Sequence, residues 1–182
     1  PLLGSIIKPL ILTSISIEPS TQFLAFKIRG LMMDPSSGTP IIILKDINSE
    51  TMLPIWVGAY EANAIALEIE KISPQRPMTH DLLRNVILEM GASVERVVVT
   101  ELRDNTFFAT INMRDRGGEA LLIDARPSDA IALALRVDCP IFVNEEVIRA
   151  SRNTVASGEE ESVSGSEEEW PDVIGEAGDL PM

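Results

Sequence analysis

Alternating polar and apolar positions open the chain's interpretable stretch. In FLAFKIRGLMM, Phe23 to Met33, Lys27 and Arg29 alternate with Phe26 and Ile28, the two-residue period of a strand. Asp34-Pro35-Ser36-Ser37-Gly38 has turn composition. Pro40–Ile47 and Thr51–Val57, joined through Asn48-Ser49-Glu50, then complete a three-stranded antiparallel meander. Pro54 cannot donate to a ladder, so it predicts an edge or a bulge in the third strand.

The period then changes. After Gly58, the apolar residues Ala62, Ile65, Ala66, Ile69 and Ile72 recur at helical spacing, predicting a helix from about Ala59 to Ile72 with Glu61 and Glu68 on its polar face. Beyond the connector SPQRPM, Thr79 suits an N-cap for a second helix whose buried stripe would be Leu82, Leu83, Val86, Ile87 and Met90, with Gly91 ending it. Strands follow at Ser93–Leu102 and Thr106–Arg114, turned by Asp104-Asn105, and at Glu119–Ala125. Pro127 suits the first turn of a helix through Arg136, and Ala130–Leu135 is apolar on every side, which predicts burial between layers. Cys139–Val143 reads as a last strand, and Asn144 caps a brief helix near Glu145–Ala150. The order βββ-αα-βββ-α-β-α predicts an α+β fold with a mixed, largely antiparallel sheet and packed helices.

Composition narrows the chemistry. A chain of 182 residues suits one domain with appendages. One cysteine, Cys139, and one histidine, His80, exclude an internal disulfide framework, a cysteine-rich zinc site and any His–His relay. The net charge of −13 is uneven: nine acids and no Lys or Arg lie within residues 157–182, leaving residues 1–156 at −4. The expected division is an apolar extension over 1–21, a domain over 22–152 and an acidic, disordered tail over 153–182. That tail is either a solvated aid to solubility or the occupant of a basic groove. The apolar start, interrupted by Lys8 and Pro9, is too short and broken to span a membrane, and it lacks a cleavage signature, so a cytoplasmic protein is expected. A mildly acidic body does not attract nucleic acid globally. Phosphates would have to meet a local cluster drawn from Arg84, Arg96, Arg103, Arg114 and Arg116. Trp56, Phe107, Phe108 and Phe142 read as core rather than as stacking platforms.

Four segments place polar residues at element ends: Gly58–Ala62, Thr79–Leu83, Asp104–Phe107 and Arg126–Ala130. His80 beside Asp81 suits proton transfer or phosphate positioning, but Asp81 also suits a helix start and His80 local packing. Glu61 and Asp129 stand in first helical turns, where a carboxylate is stabilising without further purpose. Arg126 can clamp a phosphate or pair with Asp129 or Asp124. Asp104 is an ordinary turn residue. Were Glu61, Asp81, Asp104 and Asp129 to gather, they would suit a hard divalent cation that activates water. Patterns for P-loops, dinucleotide binding, zinc proteases and hydrolase elbows are absent.

Five stretches in fixed order carry a resemblance: LPIWVGAYEANAIALEIE (Leu53–Glu70), RPMTHDLL (Arg76–Leu83), DNTFFATI (Asp104–Ile111), IDARPSDAIALAL (Ile123–Leu135) and PIFV (Pro140–Val143). Together they resemble the bifunctional nuclease domain family over about Leu24 to Ala150. The resemblance implies an α+β domain that self-associates and a nuclease acting on RNA and DNA. It carries over no settled catalytic set. The working assignment is His80 in proton transfer, and Asp81, Glu61 and Asp129 holding a metal ion (Mg or Mn) or orienting water. Arg126, Arg84 and Arg103 would contact nucleic acid. The alternative is a non-catalytic oligomeric binding or regulatory module whose motifs serve capping and packing.

Overall fold

A computed structural model describes residues 22–158 of the chain. The apolar extension expected over 1–21 lies outside the described residues, as does the part beyond Gly158 of the tail expected over 153–182; residues 153–158 continue helix α4. The elements run β1 (Phe23–Met33), β2 (Pro40–Asp46), β3 (Met52–Trp56), α1 (Ala59–Ile69), α2 (Thr79–Glu89), β4 (Ser93–Arg103), β5 (Thr106–Arg114), β6 (Ala120–Ala125), α3 (Pro127–Val137), β7 (Ile141–Asn144) and α4 (Glu145–Gly158). This is the predicted α+β order, with α4 longer than the brief helix read from the sequence.

The two meanders join through one short strand. The sheet order is β3-β2-β1-β7-β4-β5-β6, and β7 pairs antiparallel with β1 and parallel with β4. All other pairings are antiparallel. β3 is an edge strand, as Pro54 requires. Asp104 (φ 49°) and Asn105 (φ 58°) form the two-residue β4–β5 turn, a left-handed pair that short polar side chains tolerate.

Alternate side chains of the strands, such as Ile42 and Leu44 or Val97 and Val99, join Ala62 and Ile65 of α1, Ile87 of α2, and Val147 and Ile148 of α4 in one core. α3 runs through its middle, and every residue from Ala130 to Ala134 is at most 1% exposed. No helix among the described residues is long and apolar enough to cross a membrane.

Two expectations for α2 fail. Its N-cap is Met78, not Thr79, and the cap's backbone N–H is satisfied by the Asp81 carboxylate at 2.8 Å, because an acid three residues into a helix can reach back over the first turn. Of the predicted buried stripe, only Ile87 is buried; Leu82, Leu83, Val86 and Met90 are exposed. The polar side of α2 is the one turned to α3, through contacts described next.

Candidate functional site

Helices α1, α2 and α3 begin near one another, and their first-turn side chains form a chain of ion pairs. Arg126, the N-cap of α3, reaches Glu61 of α1 with one terminal guanidinium nitrogen at 2.9 Å. Its Nε donates to Asp129 Oδ2 at 2.7 Å and its other terminal nitrogen to Asp129 Oδ1 at 3.1 Å. His80 of α2 closes the row, with Nε2 3.1 Å from Asp129 Oδ1. The order in space is therefore Glu61–Arg126–Asp129–His80. Burial alone would raise the pKa of Asp129, but hydrogen bonds and charge from Arg126 and His80 outweigh it and hold the carboxyl below its ordinary value. The same carboxylate raises the pKa of Arg126, mainly through its hydrogen bond.

Only part of this row meets an open space. A cavity of about 610 Å³ lies where α1 and α3 begin, and Glu61, Arg126, Ser128, Asn105, Phe107 and Trp56 are among its walls. His80 and Asp129 stand behind Arg126 and do not line it. Two helix N-termini open on this cavity, through Gly58 and Glu61 on one side and Arg126 to Ser128 on the other. Unpaired N–H groups and aligned peptide dipoles there favour an anion. Gly58 has its own reason to be glycine, because a Cβ at that position would collide with the Glu61 carboxylate.

Asp81 goes elsewhere. Its Oδ1 accepts from Arg136 Nε at 2.6 Å, and the Arg136 side chain is 3% exposed. The two terminal Arg136 nitrogens donate to the backbone oxygens of Ala132 at 2.9 Å and Ala64 at 3.1 Å, so one guanidinium ties α1, α2 and α3 together. Burial pushes the Asp81 pKa up, but the Met78 N–H and Arg136 outweigh it and leave it lowered.

The other expected contacts are dispersed. Arg84 donates to its neighbour Asn85, and Arg103 lies over the Phe108 ring and near Glu101. Asp104 is exposed at the hairpin, whose Asn105, Thr106 and Phe107 reach the cavity instead. Sequence reasoning missed Arg136, read only as the end of a helix, and Trp56, read as core yet 51% exposed at the cavity wall. Cys139 is no nucleophile at neutral pH, since burial pushes its thiol up to about 11.

The donor set also bears on a metal. Among the described residues, no group of three or more His, Cys, Asp or Glu side chains is placed to hold one. Arg126 fills the space between Glu61 and Asp129 that a cation would need. A Mg or Mn ion does not fit these residues as arranged.

The bifunctional nuclease domain model matches residues 42–156. The chain belongs to the bifunctional nuclease domain family. An uncharacterized protein of Mycobacterium tuberculosis is 40% identical over 122 residues, covering 67% of this chain and 72% of that one. Bifunctional nuclease 2 of Oryza sativa subsp. japonica is 26% identical over 155 residues, covering 79% of this chain and 48% of its own. Bifunctional nuclease 1 of Arabidopsis thaliana is 30% identical over 109 residues, 58% of this chain and 34% of its own. The match to the family domain includes all four residues of the ion-pair row.

Proposed function

We propose that this domain hydrolyses phosphodiester bonds in RNA and DNA, with little sequence preference, at the cavity where α1 and α3 begin. The observation that carries this reading is the pairing of a carboxylate and a guanidinium, Glu61 and Arg126, 2.9 Å apart on one cavity wall. The Arg126 side chain is 65% exposed, so its planar fork can meet phosphate oxygens, aided by the two helix N-termini. A phosphate that draws Arg126 away from Glu61 frees that carboxylate to take the proton of an attacking water. Asp129 and His80 act as positioning residues: Asp129 grips the far edge of the guanidinium and His80 in turn holds Asp129. Trp56 and Phe107 offer an apolar wall to sugar and base, which selects poorly among sequences because every base has a stacking face. No step here runs through a metal.

Cleavage of single-stranded RNA and DNA by the full chain, with and without chelator, tests this beside Glu61→Gln and Arg126→Gln. Loss of one positioned base or cation should cost roughly 10²-fold or more in rate with the fold intact. Unchanged cleavage by folded variants would overturn the reading. Cleavage abolished by chelator but kept by Arg126→Gln would return the carboxylates to a metal. A second reading, a non-catalytic oligomeric binding or regulatory module, draws support from Asp81, whose partners Met78 and Arg136 are wholly structural. It predicts no cleavage in any arm.

A further inference from the structure

Among the described residues, two polar residues are buried, Asp46 and Ser128. Asp46 is satisfied locally: its carboxylate accepts the Asn48 backbone N–H at 3.0 Å and the Ser49 hydroxyl at 2.6 Å. Ser128 differs. It is 6% exposed, yet neither its hydroxyl nor its backbone N–H has a hydrogen-bond partner among the described residues. No side-chain oxygen or nitrogen cut off from solvent lacks a partner among those residues, so the Ser128 hydroxyl keeps an opening. The space that Ser128 borders is the cavity where α1 and α3 begin. Buried polar groups are nearly always paired, and one left open at a cavity calls for a ligand.

The first turn of α3 sets these donors apart. Pro127 has no N–H, and the N–H groups of Asp129 and Ala130 both donate to the Arg126 carbonyl, at 3.1 and 3.0 Å. The Ser128 N–H is left without an acceptor. The start of α1 is different, because Glu61 lays its own carboxylate against Gly58. The first-turn acid of α3, Asp129, is instead spent on Arg126 and His80. No base hydrogen-bonds to the Ser128 hydroxyl, so it serves as a donor and not as an activated nucleophile.

We propose that Ser128 makes the start of α3 a phosphate subsite, its hydroxyl and N–H donating to one phosphate of a nucleotide while the exposed Arg126 guanidinium clasps the same group. The aligned peptide dipoles of α3 add to these donors. The cavity's other walls suit the rest of a nucleotide. Trp56 is exposed there, its indole N–H directed to Asp34 at 3.4 Å, and with Phe107 it offers a stacking surface in the same cavity as the anion. A volume of about 610 Å³ is that of a small-molecule site and has room for one nucleotide unit. The subsite rests on the hydrolase reading above for the strand that brings the phosphate, but holding the phosphate requires no cleavage.

Calorimetric titration of the full chain with adenosine 5′-monophosphate, inorganic phosphate and adenosine decides it. The monophosphate should bind about tenfold more tightly than either of the others, because it alone fills both the subsite and the aromatic wall. Ser128→Ala should weaken monophosphate and inorganic phosphate alike by about tenfold, the loss of a hydrogen bond to a charged group, and leave adenosine unchanged. Since the hydroxyl has no partner in the protein, the melting temperature of Ser128→Ala should not fall. A folded Ser128→Ala that binds the monophosphate as tightly as the unmodified chain would overturn the proposal. A lowered melting temperature would give the hydroxyl to the fold and contradict it as well. Adenosine binding as tightly as the monophosphate would remove the anion from recognition, and inorganic phosphate binding as tightly would remove the nucleotide. Glu61→Gln keeps every one of these donors and should bind the monophosphate at least as tightly as the unmodified chain. If Glu61→Gln cleaves normally while Ser128→Ala loses phosphate, the hydrolase reading fails and the subsite stands. If Ser128→Ala binds normally while Glu61→Gln loses cleavage, the subsite alone fails.

Discussion

Asp81 and Asp129 each stand in the first turn of a helix and each pairs with an arginine, and the two pairs do different things. Arg136 holds Asp81 from inside the fold, 3% exposed, with each terminal nitrogen donating to a backbone oxygen of α1 or α3. Arg126 holds Asp129 from the rim, 65% exposed, and shares a cavity wall with Glu61. The chemical partners are the same and only the surroundings differ. A buried guanidinium with all three nitrogens engaged is out of a ligand's reach, whereas an exposed one exchanges its carboxylates for a phosphate at small cost. Exposure, and not residue type, divides structure from candidate chemistry here.

The sharpest way to break the comparison is at Arg136. Arg136→Met leaves the half-buried Asp81 carboxylate without its cation and unties α1, α2 and α3, and should destabilise the fold by about 3–5 kcal/mol in urea titration. Arg126→Gln should cost at most about 1 kcal/mol, because exposed pairs contribute little, yet abolish most cleavage. Equal stability losses would erase the distinction. Next in size is Glu61→Gln, which should lower cleavage by roughly 10²-fold with an unchanged melting temperature. Gly58→Ala is gentler: the Glu61 carboxylate, the far end of a flexible side chain, must swing off Arg126, so cleavage should fall about tenfold while stability changes by less than about 1 kcal/mol. The smallest effect is one of acidity. Asp81 has a lowered folded-state pKa, so its contribution is complete above its ordinary 3.8 and is lost as pH falls through the lower folded value. Asp81→Asn should therefore flatten the acid limb of the stability curve below about pH 4, and an unchanged limb would remove Asp81 from the tie.

The strands and helices were legible because their patterns are local. Alternation in FLAFKIRGLMM, Pro54 at an edge, Asp104-Asn105 as a tight turn and the all-apolar Ala130–Leu135 each reflect a constraint within a few residues. The motif segments were legible as places where helices begin, so Glu61, His80, Asp129 and Arg126 could be named together. Which of them meets a cavity depends on contacts such as His80 to Asp129, 49 positions apart, and Arg136 to Asp81, 55 apart. No periodicity records such pairings. The stripe on α2 misled for the same reason: apolar spacing says that a face is to be covered, without saying whether its own chain covers it. Trp56 misled in reverse, since a tryptophan ending a strand reads as core until the cavity beside it is seen.

The most direct measurement is the single-turnover cleavage rate of single-stranded RNA by the full chain carrying Glu61→Gln, with its fold verified by circular dichroism. The expected rate is lower by roughly two orders of magnitude at unchanged melting temperature. A folded variant that cleaves as fast as the unmodified chain would contradict it and remove the cavity between α1 and α3 from the chemistry.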